Sequence, residues 1–193
     1  MPDASAWLPR WEFEEVHRRR GVRATAAQLM AAAASLDERD DAWLQALLAL
    51  REWPARLRGR LFPARATLPP RRFGRADFVL LQQTPERVVF GLAGRFWQAD
   101  FGLERPDGPD GFCALLARTT GGIALLTLEF SAFADDAGTC TLETATRVHC
   151  TDADCRRRFT PYWWAIRPFS GLVRRRLLRQ IQRHAAAGQQ AAR

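Results

Sequence analysis

Lysine and asparagine are absent from the 193 residues, and every one of the 29 basic positions is arginine. An all-arginine, alanine-rich chain carries the mark of GC-rich coding bias, so its net charge of +8 is weak ground for phosphate binding. The Arg runs at 18–20, 71–72, 156–158 and 174–176 sit in no recognised nucleic-acid motif and read as solvated faces, so no nucleic-acid partner is expected. Cys113, Cys140, Cys150 and Cys155 are too few and too scattered for a secreted disulfide framework. No apolar run approaches the roughly 20 residues a membrane span requires. The opening MPDASAWLPRWEFEE lacks an apolar signal core and turns acidic at once. A reducing cytoplasm is therefore the expected location. GxSxG, HExxH, P-loop and dinucleotide fingerprints are missing too, and no cofactor is expected. His149, Cys150 and Cys155 suggest a metal at first sight. Adjacent strand residues point to opposite faces, however, and no CxxC or second His follows at usable spacing, so no metal is expected.

What is present is apolar content of 47%, enough for a substantial core, in a length that fits one domain. The expectation is a single domain over 1–193, with its core at about 13–186 and short flexible termini. Thr151 to His184 is the stretch the rest is built around. Phe159, Trp163, Ile166, Ser170, Val173, Leu177, Ile181 and His184 step by three or four, the spacing of one helical face. Thr151 or Asp152 can cap its start. The phase survives Pro168, which removes a backbone donor and crowds the carbonyl of Trp164, so the pattern predicts one long helix bent near Pro168. Trp163 and Trp164 project about 100° apart, which leaves one of them at a rim or on a partner.

Upstream, Phe13 to Arg19 alternates Phe13, Glu15 and His17 against Glu14, Val16 and Arg18, a half-buried or edge strand. Thr25 and Gln28 make a capping box for a helix from Ala26 to Leu36. Asp40 or Asp41 starts a second helix carrying Trp43, Leu44, Leu47, Leu48 and Leu50, which Pro54 ends or bends. Residues 58–76, rich in Pro and Arg, read as an irregular crossing. Strands follow at Phe78 to Gln83 and Arg87 to Leu92 around the turn Thr84-Pro85-Glu86. The second arm continues toward Trp97, with Gly91 and Gly94 expected to bend or bulge it. Residues 106–111 read as a loop, and Phe112 to Thr119, Ile123 to Phe133 and Thr139 to Thr151 as further strands. Ala124, Leu126, Leu128, Phe130 and Ala132 share one face; so do Leu142, Thr144, Thr146 and Val148, with Glu143, Arg147 and His149 on the other. This order predicts an α+β fold: a curved antiparallel sheet wrapped around a long C-terminal helix, with two short helices after the first strand.

Three segments, GLAGRFWQ at 91–98, LETATRV at 142–148 and RRRFTPYWWAIRPFSGLVRR at 156–175, resemble a bacterial, polyketide cyclase-related branch of the SRPBCC superfamily. LREWPARLRGRLF at 50–62 is similar to the segment after the first helices of that branch. The resemblance covers roughly residues 13–186 and implies the START-like, Bet v 1-like helix-grip fold. It also implies a cavity between sheet and C-terminal helix for an apolar or amphipathic small molecule. Its motifs are structural and carry no catalytic set. Ala145 departs from the pattern, since similar sequences more often hold Glu between the two Thr residues.

On this reading the helix supplies Phe159, Trp163 and Ile166 to the cavity wall. The sheet supplies Leu126, Leu128 and Phe130, with Thr144 and Thr146 to orient a polar end. Phe159, Tyr162, Trp163, Trp164 and Phe169 are equally accounted for as helix-on-sheet core. His17, His149 or His184 can pair with Glu129, Glu143 or Tyr162 for acid–base chemistry. Each reads more simply as a satisfied or solvent-facing histidine, and a helix C-terminus alone accounts for His184. The leading expectation is a carrier or sensor of a hydrophobic or amphipathic small molecule. One alternative is an aromatase/cyclase-like enzyme acting on a polyketide-like substrate. Another is a protein-interaction module with a filled core that uses exposed Arg and Trp.

Overall fold

The computed structural model describes residues 7–35, 77–98, 101–135 and 138–191. The helix expected around Trp43 to Leu50, the crossing at 58–76 and the resemblance segment at 50–62 lie outside the described residues. The side chains of Phe169 and Val173 do as well.

The chain forms an α+β fold, in the order β1 (Phe13–Val22), α1 (Ala26–Ala34), β2 (Val79–Gln83), β3 (Arg87–Gly94), α2 (Gly108–Leu116), β4 (Ala124–Ala134), β5 (Cys140–Cys150) and α3 (Ala153–Ala191). Among the described residues the strands make one open antiparallel sheet in the order β1-β5-β4-β3-β2. The chain thus returns β5 beside β1, and among the described residues β1 has one paired edge.

Local chemistry explains each boundary. Thr25 and Gln28 form both halves of the capping box: the Gln28 N–H donates to Thr25 Oγ1 at 3.3 Å and the Thr25 N–H to Gln28 Oε1 at 3.0 Å. α1 buries Leu29, Met30, Ala32 and Ala33, and closes at Ser35, short of the expected Leu36. β2 and β3 meet at a two-residue turn, Pro85-Glu86, bracketed by backbone bonds between Thr84 and Arg87. α3 opens with Asp152, whose Oδ1 accepts from the Cys155 N–H at 2.7 Å while Oδ2 accepts from the Gly122 N–H at 2.8 Å. It runs without interruption through Pro161 and Pro168.

Two expectations need correction. Residues 108–116 are helix, not loop followed by strand. Pro109 in the first turn and the 3–4 spacing of Phe112, Leu115 and Leu116 favour a helix, which buries Phe112 and Leu115 against the sheet. The glycines of β3 do not bulge it: its register with β4 is continuous, and the irregularity falls on β2 between Leu80 and Gln82. Gly91 serves close approach instead. A Cβ there would sit 2.8 Å from both Leu81 and Phe112 side chains, so any larger residue would push these side chains, and with Phe112 helix α2, off their present packing.

The sheet is covered on both faces. On the outer one, Leu81, Val89, Ala93 and Leu125 pack against Phe112 and Leu115 of α2 and against Leu8. On the inner one α3 rests mainly on β1 and β5, while α1 lies over β4 and β3 and against α3. The apolar core of this face divides in two. One cluster joins α1 and the later turns of α3 (Leu177, Leu178, Ile181, Ala185) to Leu128, Phe130 and Leu142. The other joins Cys155, Phe159 and Trp163 to Leu92, Ala124, Val148 and Phe96.

Candidate functional site

The site begins as a row of residues running across the inner face. The register aligns Phe90 with Leu128, Leu128 with Thr146, and Thr146 with Glu15, on β3, β4, β5 and β1. The next row aligns Val88, Phe130, Thr144 and His17. Both rows therefore grade from apolar through hydroxyl to ionisable along the sheet. The row on the other side, Leu92, Leu126, Val148 and Phe13, is apolar throughout. The polar ends of the two graded rows meet α3. Around Gly171 the helix comes close: a Cβ there would stand 3.2 Å from His17 Cε1 and 3.5 Å from Glu15 Oε1.

Within this patch His17 Nε2 lies 2.8 Å from Glu15 Oε1. From the helix, Arg174 Nε donates to Ser170 Oγ at 2.9 Å and stands 3.9 Å from Glu15 Oε2, too far for a hydrogen bond. Arg174 is only 7% exposed. Burial lowers its pKa to about 10, partly offset by the Glu15 carboxylate, so the guanidinium stays charged at neutral pH. Among the described residues six buried side-chain nitrogens or oxygens lack a hydrogen-bond partner. Four of them are here: Glu15 Oε2, Thr144 Oγ1, Thr146 Oγ1 and Arg174 Nη1. A buried polar atom without a partner costs about 1–3 kcal/mol, so four on one patch demand a reason.

Beside the polar patch some apolar side chains are incompletely buried. Phe90 and Leu126, on the inner face of β3 and β4, are only half-buried, as is Ile166 on α3. His17, on the edge strand, retains 17% side-chain exposure. The partly exposed side chains thus lie at the two ends of the graded rows, with Leu128, Thr144 and Thr146 buried between them.

The residues expected to line a cavity divide among these regions. Phe159 and Trp163 belong to the packed aromatic end, with Phe13 ring centroids 5.0 and 5.5 Å away, and Phe96, Trp97 and Tyr162 around Phe159. Ile166 and Leu126 border that cluster, and Leu126 also touches the other. Leu128 and Phe130 pack beneath α1 and the later turns of α3. Thr144 and Thr146 occupy the polar centre. Of the adjacent tryptophans, Trp163 is buried and Trp164 is 60% exposed, with the Arg167 guanidinium over its ring.

His17 and His149 each meet a carboxylate other than the Glu129 and Glu143 that the sequence offered for acid–base chemistry. His17 pairs with Glu15, His149 Nδ1 lies 3.3 Å from Glu12, and His184 is exposed, its place in the buried stripe taken by Ala185. Glu129 is held by Arg87 and Arg147 on the outer face, and Glu143 by Arg18. The reading of 174–176 as a solvated cluster fails for Arg174, which is core. Sequence reasoning missed Glu15 and Arg174 as site residues. Their signal was faint: Glu15 alternates in phase with Phe13, and Arg174 follows Ser170 by four residues. Cys150 and Cys155 are both buried at the end of the aromatic cluster. Among the described residues no group of three or more His, Cys, Asp or Glu side chains is placed to hold a metal. No helix among them is long and apolar enough to cross a membrane. No protein-family model, no curated protein and no solved structure matches this chain.

Proposed function

We propose that the chain is a helix-grip protein of SRPBCC type that carries or senses a small amphipathic molecule, held between the sheet and α3. The apolar body of the ligand lies over Phe90, Leu126 and Leu128, bordered by Ile166, and its polar end meets Thr144, Thr146, Glu15 and Arg174. The single observation supporting this is the row Phe90–Leu128–Thr146–Glu15, in which polarity rises along one face of the sheet. A binding site for a small molecule needs a mostly apolar wall with a few convergent polar groups. The unpartnered atoms at one end and the half-buried side chains at the other supply both.

The test is native mass spectrometry of the purified protein before and after organic extraction, joined to titration with the uncharged dye Nile red. A mass excess removed by extraction, or blue-shifted dye emission that Leu126→Trp suppresses by filling the apolar end, is the expected result. No mass excess together with no dye binding overturns the proposal.

One observation favours a second reading, an enzyme of the aromatase/cyclase kind. Glu15 and His17 at 2.8 Å form the carboxylate–imidazole pair that proton transfer on a bound substrate uses. Release of the extracted molecule chemically altered after reincubation, lost in His17→Gln, would select it over simple carriage.

A further inference from the structure

We infer that the polar end of the ligand is an uncharged group presenting a hydrogen-bond donor and acceptor side by side, such as a carboxamide or hydroxyl, and not a carboxylate or an ammonium. This rests on the proposed binding function and adds the chemical class of the head group. The unpartnered atoms define it by what each can do. Glu15 Oε2 only accepts, Arg174 Nη1 only donates, and the hydroxyls of Thr144 and Thr146 do either. A purely accepting group leaves the carboxylate oxygen unmet, and a purely donating one leaves the guanidinium nitrogen unmet. A carboxamide answers both at once, and a hydroxyl does so through a single oxygen.

Charge points the same way. The formal charges of Glu15 and Arg174 cancel, and both side chains are 9% exposed. A carboxylate entering this patch gives up its hydration beside a buried carboxylate of like charge. An ammonium does so beside a buried guanidinium. In either case the desolvation is not repaid by a net opposite charge. Glu15 is further committed through its other oxygen, which His17 Nε2 engages, so it cannot turn away from an incoming anion without breaking that contact. The apolar row leading to the patch has no ionisable side chain from Phe90 to Thr146, which again suits a neutral head passing along it.

The experiment is displacement of Nile red at pH 8 by octanamide, 1-octanol, octanoate, octylamine and methyl octanoate, which share one apolar body. Octanamide and 1-octanol should displace the dye at concentrations about tenfold or more below octanoate and octylamine, one well-made buried hydrogen bond being worth about that factor. Methyl octanoate, which only accepts, should fall between. Glu15→Gln removes the negative charge and should move octanoate past octanamide. Thr146→Val, of matching shape and free of an unpartnered hydroxyl, keeps the test open should Glu15→Gln fold poorly: it should narrow the preference for octanamide over methyl octanoate several-fold, both ligands being measured against that variant's own Nile red affinity. Octanoate or octylamine binding as well as octanamide in the native chain overturns the head-group inference while the binding function stands. Equal displacement by all five does the same. Failure of Nile red to bind at all removes the binding function itself, and the inference falls with it.

Discussion

Glu15 on β1 and Thr146 on β5 stand directly opposite each other across the strand pair, on the face that α3 covers, and each keeps a buried oxygen with no hydrogen-bond partner. Directly opposed strand residues have Cβ atoms about 4.5–5.5 Å apart, so two such oxygens are a shared feature of one spot. Arg174 approaches the same carboxylate from the helix without closing the bond. The patch is electrically balanced but short of hydrogen bonds. What holds it, what flanks it and how the surrounding core titrates can each be measured.

Removing one member of a buried charge pair leaves the other uncompensated. Arg174→Met should cost about 3 kcal/mol in urea unfolding, the low end for a buried pair because the contact is 3.9 Å. Glu15→Gln combined with Arg174→Met should cost at least about 1 kcal/mol less than the sum of the single changes. Strict additivity would mean that the two side chains are independent and their charge balance is incidental.

The two adjacent tryptophans separate packing from exposure. Trp163 is 5% exposed and lies against Phe13 and Phe159, so Trp163→Ala should lose about 3–5 kcal/mol of stability. Trp164, standing over Arg167 in solvent, should change stability by about 0.5 kcal/mol or less when made Ala. Thermal unfolding of the two variants measures the difference. Equal losses would contradict an α3 that turns Trp163 to the sheet and Trp164 to water.

Thiol chemistry gives the pH dependence. Cys150 is pushed above the ordinary thiol value of 9.0 first by its hydrogen bond with Cys155 and then by burial, and Cys140 by burial and the nearby Asp135 carboxylate. Below that value folded and unfolded chains both keep these protons, and the thiols leave stability unchanged. Above it the unfolded chain ionises first, so stability should fall as pH rises, most steeply through Cys150, for which about 1.4 kcal/mol per pH unit is the limiting slope. Cys150→Ala should flatten the decline measured by urea unfolding between pH 8.5 and 10. In the native state at pH 8 a thiol reagent should modify exposed Cys113 quickly and the three buried cysteines only on unfolding. Rapid labelling of Cys150 in the folded chain would argue against its placement.

The sequence by itself determined whatever depends on neighbours a few residues apart. The capping box at Thr25 and Gln28, the hairpin turn at Pro85-Glu86, the inward set Leu126, Leu128, Phe130, Thr144 and Thr146, and the buried stripe positions Phe159, Trp163, Leu177 and Ile181 are all set by local geometry. Period-two and period-3.6 patterns place side chains on faces before any partner is chosen. The helix at 108–116 escaped because a nine-residue segment with Gly at both ends of its first turn carries too few periodic positions to outweigh its turn residues.

What only the tertiary structure decided was which faces meet, and at what register. Nothing local says that β5 returns beside β1, yet that pairing alone sets Thr146 against Glu15 and Thr144 against His17. Nor does the Arg-rich run at 174–176 say which of its members turns inward; the helix phase and the close approach at Gly171 put Arg174 over Glu15. Charged side chains carry no intrinsic sign of burial in a chain with 29 arginines, because each gains more from water than from any single neighbour. Only the packed sheet and helix, by removing the water from one of them, turned an ordinary arginine and an ordinary strand glutamate into a site.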